Sequence, residues 1–130
     1  MCCLMLIKKI ILRNSEPFET SIANWCNKNK VTVEIFDGKE SLYEVVSAMV
    51  IMHADHNISR ENKDLRAAME KHHKPTQEID INGTMNASLS SLRFWIENNN
   101  PESILMVGDP KLIENSRFQD YFKNLESHLN

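Results

Sequence analysis

Residues 10–26 read "IILRNSEPFETSIANWC", an apolar run that breaks at Asn14 and resumes with a different period. Ile10, Ile11 and Leu12 finish a stretch, residues 4–12, so dense in Ile and Leu that it predicts a strand buried on both faces. Phe18, Ile22, Trp25 and Cys26 then recur at helical spacing, with Glu19, Asn24 and Lys28 between them, and Pro17 suits the first turn of that helix. A strand, a tight loop and a helix open many proteins that grip phosphate, and the loop is then glycine-rich so that bare backbone can approach the ligand. Here the loop is Arg13-Asn14-Ser15-Glu16-Pro17, with no glycine at all.

Outward from this stretch the same alternation repeats. Residues 30–36 alternate as a strand and stop at Asp37-Gly38, a turn signal. Residues 41–46 predict a short helix, since Ser41 can cap it and Glu44 lies three residues on. Residues 48–54, "AMVIMHA", are a third strand, and residues 60–72 a helix with Leu65, Ala68, Met69 and His72 on one face, ended by Pro75. Residues 76–81 read as a more polar fourth strand. Asn82-Gly83 breaks the chain, and Asn86 or Ser88 caps a helix bearing Leu89, Leu92, Trp95 and Ile96. "SILMV" at 103–107 is a fifth strand ending at Gly108-Asp109-Pro110. The closing helix, 115–129, carries Phe118, Tyr121, Phe122, Leu125 and Leu129 on one face. Met49, Met52, Trp25 and Trp95 fall at core positions. Five apolar strands alternating with helices predict an α/β three-layer α-β-α sandwich, a Rossmann-like and mainly parallel five-stranded sheet.

The 130 residues fit one domain, large enough for a real core and too short for two. A net charge of -3 with scattered Lys and Arg gives no electrostatic reason to expect nucleic acid. Residues 1–7 precede Lys8-Lys9, the reverse of the charge order in a signal peptide, and are far short of the ~20 residues that span a bilayer. Membrane partners are therefore not expected, while assembly into a homo-oligomer stays open. Cys2, Cys3 and Cys26 are an odd number, which favours free thiols and a reducing, cytoplasmic compartment.

In such folds ligands bind beyond the carboxyl ends of the strands, so residues 13–17, 54–61 and 108–111 carry the candidate chemistry. Asn14, Ser15, Ser59 and Arg60 offer an amide, two hydroxyls and a guanidinium at helix starts, a set that holds an anion or simply caps helices. Glu16 competes with an anion for the donors at its own helix mouth. The expectation is therefore that the first loop does not bind phosphate and that an anion sits at Ser59-Arg60 beside Gly108 and Asp109. Asp55 stands where doubly wound folds place a ligand-facing carboxylate. His53, Asp55 and His56 have the spacing of a partial zinc site but lack a fourth ligand, and no metal is expected. If the protein is an enzyme, Glu16 and Glu61 are the carboxylates for acid–base or nucleophilic work on a nucleoside N-glycosidic bond.

Four pieces of the chain resemble the molybdenum carrier family, within the wider Rossmann-like group that includes the lysine-decarboxylase-like (LOG) proteins. They are "IILRNSEPFETSIANWCNKNKV", "SAMVIMHADHNISRENKDLRAAMEKHHKP", "TQEIDING" and "SILMVGDPKLIENSRFQDYF". His73-Lys74-Pro75 and Gly108-Asp109-Pro110 match landmarks of that family. Its first loop is usually of a Gly-Gly-Gln-Thr-Gly type and its second a Ser-Gly-Gly-Thr type; residues 14–20 and 57–62 stand there instead, and the LOG signature Pro-Gly-Gly-x-Gly-Thr-x-x-Glu is absent. The resemblance implies a noncatalytic protein that binds a small ligand, a nucleotide or another phosphorylated compound, with a nucleotide or a molybdenum cofactor as its cargo. The alternatives are a deoxyribosyltransferase- or hydrolase-like enzyme, or a protein-interaction domain that has lost its pocket.

Overall fold

Two runs of the chain have no solvent-facing residue: Ala48–His53 and Ile104–Gly108 are buried at every position. Strands buried on both faces belong in the middle of a parallel sheet with helices above and below, and the computed structural model, which describes residues 6–36, 38 and 41–129, puts them there. In chain order the elements are β1 Lys9–Leu12, α1 Pro17–Lys28, β2 Thr32–Ile35, α2 Leu42–Val45, β3 Ala48–His53, α3 Arg60–Lys71, β4 Thr76–Asp80, α4 Met85–Asn99, β5 Ile104–Gly108 and α5 Ser116–Leu129. The five strands run parallel in the order β2-β1-β5-β3-β4. Ile10, Leu12, Val50, Met52, Ile104 and Met106 face α1, α4 and α5. Ile11, Met49, Ile51, Leu105 and Val107 face α2 and α3. This is the three-layer α/β sandwich, Rossmann-like, that the alternation predicts.

The edges differ from the centre for a reason visible in composition. β2 has no fully buried residue and β4 has one, Ile79, because an outer strand needs cover on one side only. β1 begins at Lys9, not at residue 4; residues 6–8 approach the sheet without pairing, and Cys2, Cys3 and Leu4 lie outside the described residues. β2 begins at Thr32, after Lys30 takes a left-handed φ of 60° to turn out of α1. α4 starts at Met85, earlier than a cap at Asn86 or Ser88 requires. Asp80 ends the preceding turn quickly, its Oδ1 accepting Asn82 N–H and its carbonyl accepting Gly83 N–H. α5 is preceded by a 3-10 turn, Pro110–Glu114, whose Leu112 is buried and whose Lys111 N–H is capped by Asp109. Trp25 is buried, its Nε1 donating to the Phe122 carbonyl. Trp95 is only half-buried, because Leu89, Leu92 and Ile96 already fill the inner face of α4. Cys26 is free and buried, and burial pushes its thiol up to about 12, so it is unreactive.

One contact fixes α1 against the end of β5. A β-carbon on Gly108 would lie 2.6 Å from Phe18 Cζ and 3.0 Å from Leu112 Cδ1. Phe18 is wholly buried, its ring 5.6 Å from that of Phe118, so it has nowhere to retreat. Glycine is needed here for packing. We therefore expect Gly108→Ala to destabilise the fold by about 1–3 kcal/mol, the cost of overpacking, as read by urea unfolding. Gly108→Ala combined with Phe18→Leu should cost less than the sum of the two single changes, since the smaller side chain makes the room.

Candidate functional site

Because all strands are parallel, their carboxyl ends share one edge. β1 connects outward to β2 and β3 outward to β4, with β5 between them, so the chain diverges there and leaves a crevice. Two clusters of polar side chains occupy this edge.

The first is organised by Arg13, at the end of β1. Its Nη1 donates to Glu61 Oε1 and its Nη2 to Asn62 Oδ1, both at 2.8 Å, which clamps the sheet to the first turn of α3. Asn62 is buried, and its N–H is capped by Ser59 Oγ at 3.1 Å. Asn14 Oδ1 accepts the Glu16 N–H at 3.0 Å, and the Ser15 carbonyl accepts the Thr20 hydroxyl at 2.9 Å, so both residues shape the loop. Glu16 is exposed at the cap position of α1 and makes no side-chain cap. Glu61 is held by Arg13. Arg60, by contrast, is 91% exposed, and its ion pair among the described residues is with Asp64, at 3.7 Å.

Glu19 belongs to this cluster and sequence reasoning missed it. It is 4% exposed. Burial raises its carboxyl above the usual glutamate value; its own backbone N–H and the Arg13 guanidinium draw it back, and Glu16 pushes it up again. The signal was its position: an acid two residues after Pro17 lies in the first turn, where it folds back onto free backbone donors.

The second cluster lies beyond β3 and β4. His53 is buried, and its Nδ1 accepts the His56 N–H at 3.1 Å, which assigns the proton of the neutral ring to Nε2. Asp55 and His56 both take left-handed φ angles, 55° and 65°. The Asp55 N–H donates to Asp80 Oδ1, and its carboxylate accepts from Asn82 Nδ2 at 3.0 Å. Asn115 closes the set by donating to Asn82 Oδ1 at 3.1 Å. Asp55 is thus tied to the β4–α4 turn. Among the described residues no group of three or more His, Cys, Asp or Glu side chains could hold a metal ion. Gly108 lies beneath Phe18, and Asp109 caps the 3-10 turn.

A cleft of about 570 Å³ opens beside the first cluster, lined by Arg13, Asn14, Glu61 and Asp64 together with Phe36, Leu42 and Leu65. A groove of similar size, about 590 Å³, runs between the flanks of α1 and α5, past Trp25 and Phe122. It holds none of the strand-end side chains, and the convergence of charge at the sheet edge favours the former.

Burial lowers the His53 pKa, and Asp80 and Glu78 only partly offset this. The folded state therefore binds the His53 proton less tightly than the unfolded chain, whose imidazole has the ordinary value of about 6.5. The unfolded state then binds the extra proton, and stability falls as the pH drops below that value. We expect urea midpoints to decline from pH 7 to pH 5. His53→Asn, which keeps an acceptor for the His56 N–H, should flatten that slope.

No family model matches the chain, and no curated protein does. Among solved structures, it is similar to the crystal structure of "Putative molybdenum carrier protein" from Syntrophus aciditrophicus SB. The TM-score is 0.67 at 12% identity, over 97% of each chain. No helix among the described residues is long and apolar enough to cross a membrane. What the two proteins share is a fold, along nearly their whole lengths.

Proposed function

We propose that this protein is a noncatalytic, cytoplasmic carrier or binding protein for a small phosphorylated ligand, a nucleotide or a related compound, at the carboxyl edge of its sheet. The observation that carries this reading is the contrast between the two arginines at the crevice. Arg13 is consumed by Glu61 and Asn62, whereas Arg60 stands open at the first position of α3. The first N–H groups of that helix lack intrahelical partners and carry positive partial charge. Ser59 uses its Oγ lone pair on Asn62 and keeps its hydroxyl proton to donate. Together these donors suit a tetrahedral oxyanion. The chemistry covers both a nucleotide phosphate and the cargo in the similar structure's name, as molybdate or as a phosphate-bearing molybdenum cofactor. That likeness of fold, and the order of His73-Lys74-Pro75 and Gly108-Asp109-Pro110, support a relation to the molybdenum carriers and, beyond them, to the LOG group.

The noncatalytic part rests on how the carboxylates are used. Glu61 is engaged by the Arg13 guanidinium, and Glu16 is exposed with no side-chain cap. One observation favours the N-glycosidic enzyme instead: Glu19, a buried carboxyl with a raised pKa, has the property a general acid needs.

Calorimetric titration with AMP, inorganic phosphate and molybdate tests the reading. Binding of at least one is expected, weakened about 10-fold or more by Arg60→Ala, as for a hydrogen bond to a charged group. Glu16→Gly should leave affinity unchanged or improve it. The proposal fails if none of the three binds, or if nucleosides release free base in a reaction that Glu19→Gln abolishes.

A further inference from the structure

The cleft beside Arg13 has a composition that an anion site does not need. Phe36, Leu42 and Leu65, all packed on the core of that face, give it an apolar wall. Glu61 and Asp64, three residues apart on α3 and 78% and 71% exposed, give it carboxylates. Arg13 donates through both Nη atoms, to Glu61 and Asn62, and its Nε, although it has no hydrogen-bond partner, is buried away from solvent. A phosphate entering the cleft would meet the Asp64 carboxylate and a Glu61 whose charge Arg13 already balances. Carboxylates accept hydrogen bonds and donate none, so their complement is a group rich in hydroxyl or amino donors.

We propose that this cleft takes the uncharged nucleoside end of the ligand. The flat ring lies against Phe36, Leu42 and Leu65, and the sugar hydroxyls or ring amines donate to Glu61 and Asp64. The assignment rests on the binding reading above, with the phosphate outside the cleft at Ser59 and Arg60. The geometry allows both ends to be held at once. Arg60 and Asp64 lie about one helical turn apart on α3, roughly 5–6 Å, which is within the reach of a ribose. The volume of about 570 Å³ falls in the range of small-molecule sites. Arg60 contacts Asp64 at 3.7 Å, so the rim joins the two subsites through one side-chain pair.

The test is calorimetric titration of adenosine, with uridine as a second ring, beside inorganic phosphate. Wild-type protein should bind a nucleoside. Leu65→Trp, which fills the cleft, should weaken that binding about 10-fold or more and leave phosphate affinity as it was. Glu61→Ala removes a nucleoside acceptor and releases Arg13, so nucleoside affinity should fall while phosphate affinity rises. A purely structural role for Glu61 would not produce opposite changes, and this variant serves if Leu65→Trp does not fold by circular dichroism. The inference is overturned if neither nucleoside binds, or if either folded variant keeps wild-type nucleoside affinity. Phosphate binding without nucleoside binding sinks this inference alone. Nucleoside binding with no binding of phosphate or molybdate, and with AMP bound no more tightly than adenosine, sinks the anion reading at Ser59 and Arg60 and leaves the cleft assignment standing.

Discussion

β5 has no exposed face. Ile104 to Gly108 are buried in turn by α1 and α5 on one side and by the β3 neighbourhood, α2 and α3 on the other. A strand in that position cannot be satisfied by a two-layer arrangement, since half its apolar side chains would face water. Its neighbours β1 and β3 pair on both sides, and the helices must cover both faces. The remaining elements follow from this demand. Parallel pairing sends every crossover back over the sheet, which brings all carboxyl ends to one edge and gathers there the loops after β1, β3 and β5. The Phe18–Gly108 contact sets how closely the first of those loops approaches the middle of the sheet.

Several charged and polar residues at that edge hold the structure together. Arg13 reads in sequence as a loop residue and works as a clamp, joining β1 to α3 through Glu61 and the buried Asn62. Asn14 and Ser15 hold their own loop in shape, and Asp55 braces the β4–α4 turn through Asn82. Ser59 does a cap's work while its helix start stays open beside Arg60. A glycine-rich loop would surround an anion with backbone N–H groups. In this chain the loop after β1 holds side chains that bind one another instead, and the proposed function rests on the start of α3 and the cleft next to it.

The amphipathic spacing of Phe18, Ile22, Trp25 and Cys26 and the unbroken apolar runs at 48–53 and 104–108 made the elements, their order and the layered fold legible before any coordinates. Those features report on burial of each residue by its own element, a local property that periodicity encodes. Trp95 shows where the encoding stops: it has core spacing, but Leu89, Leu92 and Ile96 fill the inner face and leave it half-exposed. The candidate site was legible as a set of loops and far less as a set of roles.

What the sequence by itself determined is the alternation of strand and helix and the parallel sheet it requires. Which strand lies beside which, and hence that β5 separates β1 from β3, was settled by tertiary packing. The same is true of the pairing of Arg13 with Glu61 across 48 residues, of the buried state of Glu19, and of the glycine at 108 that admits a phenylalanine ring. Each depends on two segments meeting in space, and hydrophobic period carries information only about the segment in which it is read. Charge pairing between distant loops leaves no periodic trace, so the fold could be read along the chain and the chemistry of its edge could not.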